Sequence, residues 1–463
     1  MRSWLPLVLP ALLLAACLDS PGESNEATPD GPFPRPPVSA ERIPHDGFDY
    51  AGEWDWSHGG DPTGHALASN HAHSHGIDLV GYNPLTRIQE GSDPLGHDAS
   101  FIALDSWTDG AGHYYVCVAH FQAGPGGGAT IVDVTDPTEP VMLATVLSGM
   151  QNSDCMFTDD GRFLLVAAYS GYTPGLPLPP PAGDLAAQGV LVYDVSDKAN
   201  PRFLHHDTVG VDGNAYHNVF TARIGDTNYV FQTYTGNILA LDEETGRLTL
   251  LSTLPVADHD IWVGHHPLTG NWIAITGAGP AMAIYDVEDP RAPKPLAEWT
   301  PSEEKYTGWH RQWPLENDVD GHAIMLVAGE EGASAADPTW YTALDFTDPT
   351  DIVELGHWSI PVPEGAATQH EFESWNGYVA TANYHSGVWV LDIGSLARAQ
   401  SPVTIGYYLP HEDPVANGGV APPAGPSTPN VWGTVFDDRG FIYAADRTSG
   451  LYVLRIAATP PLT

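Results

Sequence analysis

The stretch GVLVYDVSDKANPRFL, residues 189–204, decides the fold because its pattern returns along the whole chain. A run of alternating β-branched and aromatic residues ends at an aspartate, and a polar turn and a second apolar run follow. Such alternation predicts a β-strand, and a turn rich in Asp, Pro and Asn predicts a tight connection to the next strand. The matching segments are ATIVDVTDPTEPVML (129–143), GNILALDEETGRLTLL (236–251), AMAIYDVEDPRAPKPL (281–296), YTALDFTDPTDIVELG (341–356), GVWVLDIGSLARAQSPVTIG (387–406) and GLYVLRIAATP (450–460).

Two further strand-like runs joined by a tight turn precede these segments, as in HNVFTARIGDTNYVFQTYTG (217–236) and WGTVFDDRGFIYAADRTSG (432–450). Each unit therefore predicts four antiparallel strands, named a to d, with the repeated aspartate in strand c. About seven such units predict an all-β, seven-bladed β-propeller, a fold that removes exposed sheet edges by closing radially.

The two ends of the repeat region predict how the ring closes. The last unit stops at Ile456, after its strand c, so the seventh blade lacks a fourth strand. The early segment IDLVGYNPL, residues 77–85, is similar to the strand d segments VELGHWSIP (353–361) and VTIGYYLP (403–410). We therefore expect this N-terminal strand to complete the last blade.

The first residues predict export. Residues 1–16 contain one arginine, an apolar run too short to span a bilayer, and small residues at the end, as in a signal peptide. The junction Leu14-Ala15-Ala16-Cys17 resembles the lipobox of bacterial lipoproteins. This resemblance implies a lipidated Cys17, a membrane anchor and an extracytoplasmic location, at the cell surface or on the periplasmic side. A plain secretory signal with a chance cysteine is the alternative.

The rest of the chain divides by composition. Residues 17–45 are rich in Pro, Ser and Glu and predict a disordered tether. Residues 46–76 form a histidine-rich segment that we expect to enter the closing strand from the face opposite the main loops. Residues 77–457 form the propeller and residues 458–463 a C-terminal tail. Cys117 and Cys155 remain as either buried thiols or a structural bridge.

The charge of the chain restricts its partners. The 463 residues include 58 acidic and 17 basic side chains, which gives a formal charge of −41. Nucleic acid is excluded as a partner because its phosphates would be repelled. The acidity favours solubility or the attraction of cations.

The repeat also carries a resemblance to a known family. The units TIVDVTDPTEPVML, VLVYDVSDKANPRFL and AIYDVEDPRAPKPL resemble the LVIVD repeat of bacterial and archaeal cell-surface propellers. The resemblance covers roughly residues 77–457 and departs from the pattern at LDEETGRL and LDIGSLARAQSP, where Asp-Pro is lost. It implies a propeller at the cell surface and no settled activity, so function must be argued from the site.

Propeller geometry gathers histidines that are distant in sequence. The loops before strand a and between strands b and c open on one face beside the channel, and the longest insertions, 170–189 and 411–430, fall there. Alignment of the starts of strand a gives His97, Asp154, His217, His259, His310, His370 and Asn430. The b–c loops add His120 and His385 as ligand candidates and Glu330 as a candidate base, and Glu371 follows His370 as a second candidate base.

Two interpretations of these residues stay open. Neutral imidazoles are ligands for a divalent transition metal such as zinc, copper or iron, and a nearby carboxylate can fix a histidine tautomer or act as a base. Histidines before strand a can instead be framework residues that are hydrogen-bonded within their own blade. A second cluster could bind metal separately or be a solvated linker; it comprises His58, His65, His71, His73 and His75.

Two functions therefore remain open. The first is a lipid-anchored propeller that binds a surface protein, glycan or small molecule on its histidine-lined face. The second is a metal-dependent extracytoplasmic hydrolase or oxidase.

Overall fold

The computed structural model describes most of the repeat region and short pieces before it. The described residues are 42–43, 47–50, 74–85, 101–121, 127–147, 151–170, 188–208, 217–257, 259–278, 281–301, 309–330, 340–361, 369–384, 386–410, 430–447 and 449–457. Most of them lie in the strands of seven antiparallel sheets. Within these residues, no helix is long and apolar enough to cross a bilayer.

Each sheet is one blade with its strands in chain order. Blades one and two consist of β3 (Phe101–Thr108), β4 (Tyr114–His120), β5 (Gly128–Asp133), β6 (Val141–Leu147), and β7 (Gln151–Phe157), β8 (Phe163–Ser170), β9 (Gly189–Asp194), β10 (Arg202–Asp207). Blades three and four consist of β11 (Val219–Ile224), β12 (Thr227–Gln232), β13 (Asn237–Leu241), β14 (Leu248–Thr253), and β15 (Ile261–His265), β16 (Trp272–Ala278), β17 (Ala281–Asp286), β18 (Lys294–Trp299). Blade five consists of β19 (Trp309–Pro314), β20 (Ile324–Gly329), β21 (Tyr341–Asp345) and β22 (Val353–Trp358).

The last two blades incorporate the N-terminal strands. Blade six consists of β23 (Phe372–Trp375), β24 (Tyr378–Ala382), β25 (Val388–Asp392) and β26 (Val403–Tyr408), with helix α1 (Leu396–Gln400) before β26 and β1 (Ser74–His75) on its outer edge. Blade seven consists of β27 (Val431–Phe436), β28 (Phe441–Asp446), β29 (Gly450–Ile456) and β2 (Ile77–Asn83).

The first strand of each blade lines a central axis. Strand β3 contacts β7, β7 contacts β11, and the sequence of contacts continues through β15, β19, β23 and β27 back to β3. This closed order confirms the predicted seven-bladed propeller. Strand a is therefore the innermost strand, and its first residues reach the mouth of the channel.

The ring is closed by the predicted N-terminal strand. Strand β2 pairs with β29 from Ile77 opposite Ile456 to Asn83 opposite Leu451. The chain enters β2 opposite the last residue of strand c, which is the end away from the main loops. Just before β2, Ser74 and His75 pair with Tyr408 and Tyr407 on the outer edge of blade six.

Apolar side chains fill the interfaces between the blades. Each of the seven interfaces has its own cluster of buried residues; Phe163, Val192 and Leu239, for example, belong to the cluster between blades two and three. Strands a to c are mostly buried, whereas outer strands such as β14 and β18 are largely exposed. This gradient explains why strand c carries the clearest apolar pattern.

The repeated aspartate at the end of strand c has a structural role. In every case its Oδ1 accepts a hydrogen bond from the backbone N–H two residues later, which closes an Asx turn into the c–d connection. The pairs are Asp133 with Thr135 (2.9 Å), Asp194 with Ser196 (3.1 Å), Asp242 with Glu244 (2.9 Å), Asp286 with Glu288 (3.0 Å), Asp345 with Thr347 (2.9 Å) and Asp392 with Gly394 (2.9 Å). Part of the acidity of the chain is therefore turn chemistry.

The two internal cysteines are free, buried thiols on neighbouring blades. Cys117 lies in β4 and donates a hydrogen bond from its Sγ to the carbonyl oxygen of Cys155 in β7, at 3.2 Å. Burial raises the pKa of Cys117 to about 11, so its thiol stays protonated at neutral pH.

Candidate functional site

Four histidines form a row at the channel mouth. They lie at or just before the starts of β11, β15, β19 and β23, the innermost strands of blades three to six. The ring centroids are 4.2 Å apart for His217 and His259, 4.2 Å for His259 and His310, and 4.3 Å for His310 and His370. Each ring contacts the next, so the row joins residues that span more than 150 positions of sequence. We call this set the histidine row.

The strand register shows which residues occupy the same position in the other blades. His310 is the extra residue between Trp309, which pairs with Gly329, and Arg311, which pairs with Ala328. A β-bulge of this kind re-aims one side chain. The corresponding residue is Ser153 in blade two and Trp432 in blade seven, not Asp154 and Asn430 as the sequence alignment predicted. The bulges shift the register by one or two residues, which an alignment of strand starts does not detect.

Burial keeps the histidine row uncharged. His310 is 2 % exposed and His370 is 7 % exposed. Burial, with the neighbouring His259, lowers the pKa of His217 to about 3, and burial, with nearby Arg311, lowers that of His259 to about 4. Burial and the neighbouring imidazoles hold the pKa of His310 and His370 well below the usual range. All four rings are thus neutral at physiological pH, the form that binds metal ions.

The hydrogen-bonding of the row is incomplete at its centre. Within the described part of the chain, neither ring nitrogen of His310 has a hydrogen-bond partner, and Nδ1 of His259 also has none. A buried polar group without a partner costs roughly 1–3 kcal/mol. His370 differs, because its Nδ1 lies 2.6 Å from the carbonyl oxygen of Trp432. That contact fixes Nδ1 as the donor and leaves the lone pair on Nε2.

A carboxylate completes a possible metal-binding group. Ligand atoms of His259, His310 and Glu330 lie within 4.8 Å of one another. Donor atoms around a tetrahedral zinc ion are about 3.4 Å apart for bonds of 2.0–2.1 Å. Side-chain rotations that move the ligand atoms by about 1 Å would therefore bring these three residues into coordination. Glu330 is the residue after β20, at the start of a b–c loop, as the sequence predicted for a residue beside the row.

Tyrosines occupy the turns at both ends of the row. Tyr384 donates a hydrogen bond from its Oη to Oε1 of Glu330 at 2.5 Å, and its ring is 5.3 Å from that of His370. Tyr234, in the corresponding turn of blade three, is 5.7 Å from His217. Both tyrosines have a left-handed backbone, with φ of 46° and 58°. Such conformations are costly for large side chains and cluster at functional sites.

A buried ionic layer lies directly beneath the row. Arg311 donates to Asp260 Oδ2 at 2.9 Å and approaches Glu371 Oε1 at 3.9 Å. Burial raises the pKa of Glu371 well above its usual range, and Arg311 only partly opposes this. Glu371, one of the two predicted bases, therefore belongs to this layer and faces Arg311, whereas Glu330 faces the imidazoles.

The remaining predicted residues lie elsewhere. His120, at the end of β4, is fully buried and hydrogen-bonded through Nε2 to Thr130 Oγ1 of its own blade at 2.9 Å, as a framework histidine would be. His75, in β1, stacks on Phe48 with centroids 3.5 Å apart. The other predicted residues lie outside the described part of the chain, and their roles stay predictions; they are Cys17, His58, His65, His71, His73, His97 and His385.

Sequence reasoning placed Tyr234 in a b–c loop on this face but missed the ionic layer and Tyr384. The signal for the layer was that each histidine of the row is followed by a polar residue, in the pairs His217-Asn218, His259-Asp260, His310-Arg311 and His370-Glu371. The signal for Tyr384 was a Tyr shortly before Gly in NYHSG, as in the TYTG that contains Tyr234.

Comparisons with known proteins give distant similarities. No family model matches the chain and no curated protein matches it, so membership of the LVIVD-repeat family stays a prediction. Hydrazine synthase of Kuenenia stuttgartiensis is 14 % identical over 81 % of this chain and 99 % of its own, with a TM-score of 0.49. A functionally unknown protein from Desulfotomaculum acetoxidans is 12 % identical over 72 % of this chain and 89 % of its own, with a TM-score of 0.46. Sqt1 of Saccharomyces cerevisiae is 14 % identical over 77 % of this chain and 85 % of its own, with a TM-score of 0.45. These similarities are too distant to carry an argument about function.

Proposed function

We propose that this protein is a lipid-anchored, extracytoplasmic β-propeller that binds a divalent transition-metal ion at its channel mouth through His259, His310 and Glu330. The observation that supports it most is His310, which is buried, neutral and without a hydrogen-bond partner among the described residues. A framework histidine would have such a partner, as His120 does. A metal ion is the ligand that satisfies a buried imidazole lone pair and a neighbouring carboxylate together.

The donor set indicates which metals fit. Two histidines and one carboxylate are the ligands of zinc in hydrolases and of iron in the facial triad of non-haem oxygenases. Copper is a third candidate because the flanking His217 and His370 would extend the set to four imidazoles. His370 is prepared for this role, since its Nδ1 contact with Trp432 leaves Nε2 facing away from that carbonyl.

The site has the parts of a metal-dependent hydrolase or oxidase as well as of a binding protein. A bound ion would act as a Lewis acid on water or on a substrate oxygen. Tyr384 orients the Glu330 carboxylate by its hydrogen bond, and burial of His310 and His370 keeps competing protons off the imidazoles. The alternative proposal is recognition of a surface protein, glycan or small molecule on this face without chemistry, which the propeller scaffold also allows.

Metal analysis of the whole chain tests the metal site. We expect one zinc or iron per chain after reconstitution, and its loss in the double variant His259→Ala, His310→Ala. The matched control replaces His58, His65, His71 and His73 by serine and should keep the metal. Full retention in the double variant, or loss only in the control, would contradict the proposal.

The location rests on separate residues and needs its own test. The lipobox-like junction at Cys17 and the resemblance to LVIVD-repeat propellers support an anchored, exported protein. Mass spectrometry of the N-terminal peptide should find a diacylglyceryl group on Cys17, and Cys17→Ser should move the protein from the membrane fraction to the soluble fraction. An unmodified Cys17 in membrane extracts would overturn the anchor and leave the metal site untouched.

A further inference from the structure

A cavity lies at the end of the propeller opposite the histidine row, between blades one and two. It has a volume of about 380 Å³ and contains Trp107 and Tyr115 on one side and the turn Ser196–Ala199 on the other, with Asp109 and Leu143 at its borders. Asp109 is in the a–b turn of blade one, and residues 196–199 form the c–d turn of blade two. Both kinds of turn lie at the end away from the histidine row. The volume is in the range of small-molecule sites.

Lys198 makes this turn different from the others. In three other blades the residue after the second aspartate of the turn is a proline, as in Asp136-Pro137, Asp289-Pro290 and Asp348-Pro349, whereas blade two has Asp197-Lys198. The lysine is 8 % exposed, and its Nζ donates to the carbonyl oxygens of Gly161 at 2.7 Å and Val195 at 3.0 Å.

The ammonium group of Lys198 organises the aromatic wall of the cavity. Its Nζ lies 4.3 Å from the ring centroid of Trp107, 5.4 Å from that of Tyr115 and 5.6 Å from that of Phe157. Such cation–π contacts hold both partners in place. Trp107 and Tyr115 are thereby kept almost parallel, with centroids 6.0 Å apart and an interplanar angle of 22°, and both remain half-buried. The cavity therefore presents a fixed, partly exposed aromatic surface.

Two carboxylates stand at the border of this surface in fixed orientations. Asp197 accepts from the N–H of Ala199 at 3.0 Å and from Asn200 Nδ2 at 2.9 Å. Asp109 accepts from the N–H of Ala111 at 2.8 Å and from His113 Nδ1 at 2.6 Å. A carboxylate has about four acceptor positions, so both can accept further hydrogen bonds from a ligand.

These groups select the chemistry of the ligand. Asp109, Asp197 and the charge of −41 disfavour an anion. A cation over the rings would meet the ammonium of Lys198, which already lies there. A neutral molecule with one apolar face and several hydroxyl donors meets both the rings and the carboxylates. We propose that this cavity binds a neutral saccharide, whose C–H face packs on Trp107 and Tyr115 and whose hydroxyls donate to Asp109 and Asp197.

Calorimetric titration of the whole chain with cellobiose, maltose, lactose and chitobiose tests the proposal. At least one of these neutral disaccharides should bind with a Kd on the order of 1 mM, typical of a small polar ligand with few contacts. Choline and glucuronate, as cationic and anionic probes, should not bind. Absence of binding by all four disaccharides, or tighter binding of choline or glucuronate, would overturn the proposal.

A matched pair of variants locates the binding. Asp197→Asn should weaken it about tenfold, because the variant loses the negative charge that strengthens the hydrogen bond from a ligand hydroxyl. Asp348→Asn is the control, since Asp348 forms the same turn in blade five, with its Oδ1 2.9 Å from the N–H of Thr350. Equal effects of the two variants would overturn this location. Titration of the His259→Ala, His310→Ala variant should give unchanged saccharide affinity, because this cavity does not depend on the metal site.

Discussion

The chain repeats two polar positions in most of its blades, and the two differ in how their hydrogen bonds are satisfied. The aspartate that ends strand c closes the same Asx turn in six blades, with N–H to Oδ1 distances of 2.9–3.1 Å. The histidine before strand a occurs in four neighbouring blades, and at the centre of that row the described residues give His310 no hydrogen-bond partner.

The difference separates residues that build the ring from residues that are available to a ligand. A repeated residue whose hydrogen bonds are all made within its blade is explained by the fold alone. A repeated residue that is buried and incompletely bonded costs stability and calls for an external partner. His120 shows that residue type does not decide this, because it is a histidine near the same end and bonds within its blade to Thr130.

The largest effect on stability is expected at Asp392, the most buried of the repeated aspartates. It is fully buried, and its Oδ1 lies 2.7 Å from Arg42 Nη2. Asp392→Ala leaves a buried guanidinium without its charge partner and should reduce the free energy of unfolding by about 3–5 kcal/mol in a denaturant titration. Asp345→Ala, in the same turn but partly exposed, should cost about 1 kcal/mol. Equal losses of unfolding free energy in the two variants would contradict the view that burial determines how much this aspartate stabilises its blade.

His120 and His259 should respond oppositely to truncation. His120→Ala removes a buried ring and its hydrogen bond to Thr130, so it should cost about 2–3 kcal/mol of unfolding free energy. It should leave the metal content unchanged. His259→Ala should lose the metal and cost less stability than His120→Ala. Metal loss in the His120 variant would show that our distinction between framework and site histidines is wrong.

Tyr384 should act as a positioning residue for Glu330. Tyr384→Phe removes the 2.5 Å hydrogen bond to Oε1 and should weaken metal binding about 10–100-fold, as loss of an outer-shell contact does. The absorption spectrum of the cobalt-substituted protein should also change, which a merely structural role would not cause. Tyr234→Phe, which alters a tyrosine of the same backbone conformation at the other end of the row, should change affinity less than threefold, within the scatter of surface substitutions. A larger loss in Tyr234→Phe would contradict this assignment.

The smallest effect concerns pH. The pKa values of His217 and His259 are lowered to about 3 and about 4, so protons do not compete for these rings until the pH falls towards 4. Zinc affinity should therefore fall less than about tenfold from pH 7.5 to 5.5, whereas protons would begin to displace metal from histidines of ordinary pKa near 6.5. Titrations against a competing chelator between pH 7.5 and pH 5.5 measure this zinc affinity. A steep loss centred near pH 6.5 would contradict the buried, neutral row.

The same pKa values fix the sign of the pH effect on the metal-free protein. Histidines of the unfolded chain take up protons near pH 6.5, while those of the folded row do not. The stability that depends on these groups is thus present above pH 6.5 and is lost as the pH falls towards about 4. Asp154 opposes this, because burial raises its pKa to about 7 and its protonated form favours the folded state at lower pH. The slope of the unfolding free energy against pH should therefore be compared between the wild type and His259→Asn, which removes one of the four histidines.

The sequence predicted the parts of this molecule that depend on periodicity. Apolar alternation and the repeated Asp turn give the seven blades, and the similarity of residues 77–85 to other d strands gives the closure with β29. The convergence of His217, His259, His310 and His370 follows once the blades are placed around an axis. Whether these residues bind metal stays a prediction.

The remainder depends on features that periodicity does not encode. The bulge before Arg311 places His310 in the row, and the bulge before Gly433 places Trp432 at the same position of blade seven. No residue pattern marks these bulges. The pairing of Arg311 with Asp260 joins two blades and is visible only when both inner strands are in place. The pairing of Ser74 with Tyr408 on blade six, next to the stack of His75 on Phe48, is likewise marked by no repeat.

The central claim is that His310 lacks a hydrogen-bond partner because it is a metal ligand. The most direct test measures the free energy of unfolding of the wild type and of His310→Leu, each with chelator and with zinc. We predict that with chelator the variant is more stable by about 1 kcal/mol, since a buried unsatisfied polar group is replaced by an apolar one of similar size, and that zinc stabilises only the wild type. A variant that is less stable with chelator and gains as much from zinc as the wild type would contradict the claim.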